Sequence, residues 1–374
     1  MNRSVLTEVL HSTSLHVTPG SLTVATSWQH PTRGPVDCPA QHLLAAHARQ
    51  SGLAADSRSL PNEDLRDGLT TAPTTVFTVS YERPEGGHRG LALAAHSDDA
   101  TAVSFARRQI ESWRAVLRTR RVLHVAAQSS PAPGPSSAPV PAQPPADSRN
   151  RWRICGCPTG VACPSAENAE RALHRFLDRG DEVVVVGTPA AGSGAWAGRT
   201  LQPNPQTVGT PQQAETLAVT DPDRLAFVVA PGAVVSEAAD ILNVLRRRYP
   251  RLRGQHPHEW CYTMDDLHTA VGAALAQSDR LLVVGRDTTP ATRAAITQAA
   301  RTTLRVRAVT TLDRLRPEDI DAATITVVDA TADGRGLVQM AQTLDGLGPT
   351  SHVRRQAYSI KETSQPAFRP LPSG

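Results

Sequence analysis

The sequence predicts an α/β fold in which parallel strands alternate with helices. The segments "DEVVVVG" (181–187), "RLAFVVA" (224–230) and "RLLVVG" (280–285) are continuous apolar runs, as in strands that are covered on both faces. Helical segments such as "SEAADILNVLRRRYP" (236–250) separate them. A chain of 374 residues is also too long for one ordinary core, so we expect two or three domains.

The sequence pattern near the N-terminus predicts a first α/β unit, which we assign to residues 1–128. "TTVFTVSY" (74–81) and "GLALAAH" (90–96) have the composition of strands. Residues 97–121 predict a long amphipathic helix, and "VLHVAA" (122–127) a further strand. A proline-rich segment without aromatic residues follows, and such a composition predicts a mobile linker over 129–150.

Beyond the linker, helices and apolar strands alternate regularly. We predict helices over 165–180, 236–250, 265–278 and 290–303, and strands over 181–187, 224–230, 280–285, 304–310 and 323–330. This pattern predicts two further α/β units and a tail, which we assign to residues 151–258, 259–348 and 349–374.

Cysteines stand at the starts of two predicted helices with the same spacing. Cys163 and Cys261 are each followed by a helix, a Val-rich strand and, 24 residues on, by Gly187 and Gly285. A helix N-terminus favours the thiolate, the form that ligates iron or zinc. Cys38, in "VDCPAQHLLAAHARQSG", is the corresponding candidate in the first unit. One thiolate from each unit could converge on a shared cofactor at the carboxyl edge of the sheets.

Other interpretations of these residues stay open. Isolated cysteines are often inert core residues, and Cys155 and Cys157 in "RICGCPTG" could form a thiol pair or be structural. A zinc site is an alternative, since the loop and helix offer suitable ligands in His256, His258, Cys261 and His268. Arg286 and Arg293, at the start of a helix, could hold an anion.

Composition argues against several classes of protein. The net charge is +4 and the pI about 9.0, but the basic residues are scattered, which speaks against a nucleic-acid partner. The N-terminus lacks the apolar run of a secretory signal, and no stretch is long enough for a membrane span. Five widely spaced cysteines do not suggest a disulfide framework. We therefore expect a cytoplasmic protein without a membrane partner.

Four segments of the second half of the chain follow one another in a characteristic order, and they are "GVACPSAENAERALHRFLDRGDEVVVVG", "ILNVLRRRYPRLRG", "HEWCYTMDDLHTAV" and "DRLLVVG". In these segments the chain resembles the LytB family, the 4-hydroxy-3-methylbut-2-enyl diphosphate reductases, and the resemblance covers most of residues 158–345. The resemblance implies three α/β units with small parallel sheets around a pseudo-threefold centre. It also implies a [4Fe-4S] cluster on Cys38, Cys163 and Cys261. The activity implied is reductive dehydroxylation to isopentenyl and dimethylallyl diphosphate, with an electron donor such as ferredoxin or flavodoxin.

Four further residues match the family's substrate-binding positions. His96 closes "GLALAAH", Asn62 lies in "SLPNEDLRDGL", and Thr288 and Thr289 lie in "GRDTTPATR". The resemblance implies that these side chains contact a small-molecule substrate.

Four loops depart from the family pattern. "GRDTTPATR" (285–293) replaces a Ser/Asn-rich diphosphate loop, and "DATADGRG" (329–336) replaces a serine-bearing turn. "GTPAAGSGAWAGRT" (187–200) lacks the family's histidine and catalytic glutamate, and "APGAVVS" (230–236) replaces a hydroxyl-rich turn. We therefore expect a LytB-like oxidoreductase repurposed for another substrate, and we assign no catalytic residue. The alternative is a LytB-fold binding or regulatory protein without a cluster.

Overall fold

The computed structural model describes residues 5–60, 72–126, 164–187, 205–285, 290–330 and 335–356. Within these ranges the chain forms three sheets flanked by helices. The predicted α/β class is confirmed, and two of the three sheets are wholly parallel. None of the described helices combines the length and apolar character needed to cross a membrane.

The first unit is a seven-stranded sheet with two helices. Its elements are β1 (Leu6–Ser12), β2 (Ser21–Ala25), β3 (Ser27–His30), β4 (Gly34–Asp37), α1 (Gln41–Gln50), β5 (Ala54–Arg58), β6 (Thr74–Glu82), β7 (His88–His96) and α2 (Ala100–Ala115). The main strand order is β1-β6-β7-β2-β5, and β4 pairs with β7. This sheet is mixed rather than parallel, because the short turn at Gly86 and Gly87 can join only antiparallel neighbours.

The second unit is a four-stranded parallel sheet in the order β10-β9-β11-β12. Its elements are α3 (Pro164–Asp178), β9 (Glu182–Val186), β10 (Gln206–Val208), α4 (Pro211–Thr216), β11 (Leu225–Val229), α5 (Val235–Arg248) and β12 (Arg253–Gly254). The predicted strands over 181–187 and 224–230 are confirmed. The sequence did not predict β10 or α4, which are too short to show a period.

The third unit is a five-stranded parallel sheet in the order β14-β13-β15-β8-β16. Its elements are β8 (Arg120–Ala126), α6 (Thr263–Leu275), β13 (Arg280–Val284), α7 (Pro290–Ala300), β14 (Arg305–Val309), α8 (Pro317–Ile320), β15 (Thr324–Asp329), α9 (Arg335–Gly346) and β16 (Thr350–Gln356). Two strands differ from the sequence prediction. Strand β8 follows α2 yet pairs with β15, and the predicted tail begins with the edge strand β16.

Alternate residues of the first sheet pack into two different cores. Phe77 and Val79 of β6 face α1, α2 and residues of the third sheet, within one continuous apolar cluster. Val76 of β6 and Ala92 of β7 face the other way, into a smaller cluster that belongs to the first unit alone. The first and third units therefore share a core across one face of the first sheet. The second and third units meet where Val234, just before α5, packs among residues of α6 and α7.

Candidate functional site

A cleft lies at the seam between the second and third units, where the strands of the second sheet end. Its volume is about 120 Å³, and it lies between the start of α5 and the side of α7. We call it the seam cleft. The residues that give it its character are Gly187, Gly209, Gly232, Glu237, Arg293 and Thr297. Its position matches the rule that open α/β sheets bind ligands outside the carboxyl ends of their strands.

Three glycines form the floor of the seam cleft because each follows a strand of the second sheet. Gly187 comes directly after β9, Gly209 directly after β10, and Gly232 shortly after β11. Gly187 has a positive φ of 96°, and a Cβ there would lie 2.5 Å from the Cβ of Ala233. Glycine therefore allows the end of β9 to approach the turn that leads into α5.

A carboxylate that is ion-paired with an arginine lies on one wall of the cleft. Oε1 of Glu237, in the first turn of α5, accepts a hydrogen bond of 3.1 Å from the guanidinium of Arg301. Nε2 of His268, on α6, lies 4.0 Å from the same oxygen. His268 is only 8 % exposed, and burial lowers the pKa of its imidazole. The imidazole of His268 is therefore neutral at neutral pH. The charged groups on this wall are the carboxylate of Glu237 and the guanidinium of Arg301, which form an ion pair.

Arg293 is the cationic residue of the opposite wall. It lies half-buried on α7, one turn before Thr297, and burial lowers the pKa of its guanidinium. Arginine still carries its charge at neutral pH. The start of α5 faces Arg293. One backbone donor there already has a partner, because Asp265 of α6 accepts a hydrogen bond of 2.9 Å from the backbone N–H of Ser236. Among the described residues, the lining of the cleft therefore includes the guanidinium of Arg293, the ion-paired carboxylate of Glu237 and the hydroxyl of Thr297.

Cys261 lies in the loop that leads into α6, and it is not among the residues that line the seam cleft. Its side chain is half-buried, and α6 begins two residues later at Thr263. Gln255 ties the loop to the second sheet, since its side-chain oxygen accepts a hydrogen bond of 3.1 Å from the backbone N–H of Val229. The predicted placement of Cys261 at a helix start is confirmed.

Cys38 lies in different surroundings. It follows β4, is 2 % exposed, and packs among residues such as Trp28, Val36 and Ala92 of the first unit. Burial raises the pKa of its thiol well above the ordinary value, and the charge of Asp37 adds to this effect. Over the described ranges, no three His, Cys, Asp or Glu side chains come together as metal ligands. The described residues therefore do not fit a cluster bound through Cys38.

The other predicted site residues divide into two groups. His96 is half-buried at the end of β7, where its Nδ1 accepts a hydrogen bond of 3.3 Å from the backbone N–H of Asp98. It does not line the seam cleft. The remaining predicted residues lie outside the described ranges, and they are Asn62, Cys155, Cys157, Cys163, Arg286, Thr288 and Thr289.

The alternative zinc site does not form. The rings of His256 and His258 stack on each other at 4.9 Å, whereas His268 faces Glu237 from within α6. All four proposed ligands are described, and they do not converge as a metal site. Sequence reasoning missed Glu237 because it reads as an ordinary helix-start carboxylate. Its contacts, to residues 31 and 64 positions away, leave no local signal.

Comparison with known proteins shows the family. The profile described as "LytB protein" matches residues 153–339, which is half of the chain. This chain belongs to the LytB family. The match includes the second unit, the seam cleft and most of the third unit, so the cleft lies within the LytB part of the molecule. Residues 1–152, which include the first sheet, lie outside the match.

Curated relatives are similar over part of their length. The 4-hydroxy-3-methylbut-2-enyl diphosphate reductase of Roseobacter denitrificans is 29% identical over 145 residues, which are 38% of this chain and 45% of the relative. The enzyme of the same name from Ruegeria pomeroyi is 28% identical over 176 residues, 43% of this chain and 51% of the relative. The chain thus spans about half the length of the curated relatives it matches.

A solved structure shows weaker similarity. The E-1-hydroxy-2-methyl-but-2-enyl-4-diphosphate reductase of Plasmodium falciparum superposes with a TM-score of 0.45 at 12% identity. The superposition covers 54% of this chain and 65% of the other.

Proposed function

We propose that this LytB protein is a reductase-like oxidoreductase that binds a small-molecule substrate in the seam cleft. The observation that carries the proposal is the cleft itself, which lies at the carboxyl edge of the second sheet. Its relatives are named 4-hydroxy-3-methylbut-2-enyl diphosphate reductases, and the part of the chain that matches the LytB family, residues 153–339, contains the lining of the cleft. Electrons would come from a donor protein such as ferredoxin or flavodoxin, and the setting would be the cytoplasm.

The charges of the cleft support a substrate that carries less negative charge than a diphosphate. A diphosphate needs several donors and cations to offset its charge. The described walls supply Arg293 and Thr297, and they place the carboxylate of Glu237 opposite. Small residues such as Gly232 and Ala233 line the turn before α5, so no hydroxyl is available there. This composition favours a neutral or weakly anionic ligand.

A cluster-free binding or regulatory role is the second candidate, and the burial of Cys38 favours it. The two candidates differ in one measurable property. A reductase oxidises a reduced donor when its substrate is added under anaerobic conditions, whereas a binding protein only shows saturable binding. The test compares uncharged allylic alcohols with their diphosphates in both assays. Binding without any donor oxidation would favour the second candidate.

For 4-hydroxy-3-methylbut-2-enyl diphosphate itself we predict turnover at least about 100-fold slower than that of an authentic reductase, because a missing general acid costs that much. The assay is anaerobic, with both proteins supplied with the same reduced donor. A rate within about tenfold of the authentic reductase would contradict the proposed change of substrate.

The role of the cleft carboxylate can be tested by binding. Glu237→Gln should raise the affinity for inorganic diphosphate about fivefold, since it removes one negative charge near the ligand. Asp240→Asn removes an exposed carboxylate from the same helix without changing the cleft, and should have less than about a twofold effect. Isothermal titration calorimetry at low salt measures both. Equal affinities for the Glu237→Gln and unmutated proteins would show that the anion binds elsewhere.

A further inference from the structure

Among the residues that the structure describes, the apolar surroundings of Cys38 belong to the first unit. Its backbone N–H donates a hydrogen bond of 2.9 Å to the carbonyl of Thr26, and its own carbonyl accepts one of 3.1 Å from Gln41 at the start of α1. The apolar cluster around the side chain contains only residues between Leu10 and Ala94. No residue of the second or third unit belongs to that cluster.

The first sheet separates this cluster from the third unit. Successive residues of a strand point to opposite faces. Leu91 and Leu93 of β7 pack on the face that is shared with the third sheet, whereas Ala92 and Ala94 pack on the face that carries Cys38. The thiol and the third unit therefore lie on opposite faces of the same sheet. Cys261 lies in the loop that leads into α6 of the third unit.

We infer that Cys38 is a core-packing residue and that the first unit contributes no thiolate to a cofactor shared with Cys261. Cys38 is the sole cysteine before residue 155 in the sequence, so no other thiol of the first unit could replace it. One cysteine from each unit is what the family resemblance implies, and this chain does not meet that pattern. The inference rests on packing and is independent of the proposed substrate.

The chemistry of the thiol agrees with the packing. Ligation of iron or zinc requires the thiolate. Burial in apolar surroundings disfavours that form, and the raised pKa of Cys38 reflects this. To reach a ligand shared between units, Cys38 would have to leave its core and expose the neighbouring apolar side chains.

Differential alkylation of the native protein tests the inference directly. Iodoacetamide is added at neutral pH under anaerobic, metal-free conditions, and each cysteine-containing peptide is quantified by mass spectrometry. Cys261 should react at least about 100-fold faster than Cys38, because Cys38 reacts only after an opening of the core. In denaturant the two rates should become similar. Equal rates in the native protein would overturn the inference.

Iron uptake supplies a second readout. After anaerobic reconstitution with iron and sulfide, Cys38→Ala should hold as much iron per chain as the unmutated protein. Cys261→Ala serves as the matched variant of a half-buried thiol. Loss of iron in Cys38→Ala, with an unchanged circular dichroism spectrum, would overturn the inference. If the unmutated chain takes up no iron, the alkylation rates decide, since they need no metal.

Discussion

At the scale of single residues, the wall of the seam cleft shows how burial sets charge. His268 has no hydrogen-bond partner at Nε2 among the described residues, and the nearest charged atom is an oxygen of Glu237 at 4.0 Å. Burial lowers the pKa of this imidazole more than the charge of Glu237 raises it. Arg301, which also faces Glu237, lowers it further. The folded protein therefore favours neutral His268.

Because the folded protein favours neutral His268, we predict that the free energy of unfolding decreases in acid. Above a pH of about 6.5 His268 is neutral in both the folded and unfolded states, so it has no effect. Below that pH the unfolded state binds the proton more readily, and the free energy of unfolding falls by at most about 1.4 kcal/mol per pH unit. The loss ends once pH drops below the lowered pKa of the folded state. His268→Gln should reduce the dependence between pH 7.5 and 5.5, measured by urea unfolding.

His258→Gln is the control for that measurement. His258 is exposed in the loop before Cys261, so its replacement should leave the pH dependence unchanged. If His268→Gln and His258→Gln give the same curve as the unmutated protein, His268 does not titrate as its burial predicts.

At the scale of elements, β8 and β16 connect distant parts of the sequence. Strand β16 lies at the edge of the third sheet and pairs with β8 alone, in parallel register from Thr350 opposite Arg120. The two strands also share a side-chain contact, since the rings of His124 and His352 stack with their centroids 4.8 Å apart. Nε2 of His352 lies 2.7 Å from Oδ1 of Asp345. Strand β16 therefore covers β8 with both backbone and side-chain contacts.

We predict that truncation after residue 349 destabilises the protein. It removes the strand that covers β8 and leaves the outer N–H and C=O groups of β8 unpaired. The melting temperature should fall by a few degrees, since each kcal/mol of lost stability shifts it by roughly 1–2 °C in a chain of 374 residues. Truncation after residue 356 keeps β16 and serves as the control. Equal melting temperatures for the two truncated chains would show that β16 does not contribute.

At the scale of the whole molecule, Arg120 connects the first and third units. It is 1 % exposed, and its guanidinium donates to the carbonyls of Ile320, Leu347 and Val116. Burial lowers the pKa of Arg120 to about 10, so it remains charged at neutral pH. The carbonyl of Ile320 belongs to the last residue of α8, and those of Val116 and Leu347 directly follow α2 and α9. One side chain therefore satisfies backbone groups that end helices of both units.

Arg120→Met should lower the free energy of unfolding by about 3 kcal/mol, because several buried carbonyls lose their donor. Arg121→Met is the matched control, since Arg121 is exposed on the same strand and its replacement should cost less than about 0.5 kcal/mol. Chemical unfolding followed by circular dichroism measures both. A similar small effect for the two variants would contradict the structural role of Arg120.

Local patterns predicted most of the long helices and strands of the LytB part of the chain, although they missed the helix α9. Long apolar runs such as "DEVVVVG" and "RLLVVG" became β9 and β13, because strands buried on both faces need apolar residues throughout. The sequence also predicted Cys261 near the start of a helix. The resemblance of residues 158–345 to the LytB family was confirmed by the family match over residues 153–339. Short elements such as β10 were missed, since three residues show no period.

Only the tertiary structure decided which residues meet. Strand β8 pairs with β15, about 200 residues later, and no local pattern encodes that choice. The seam cleft joins the ends of three strands to the side of α7, so its charge depends on segments far apart in the chain. For Cys38 the sequence supplied a suitable residue before a helix, but its role depends on which face of a sheet covers it. Burial is a property of the packed molecule, and here it places that thiol in a core rather than in a site.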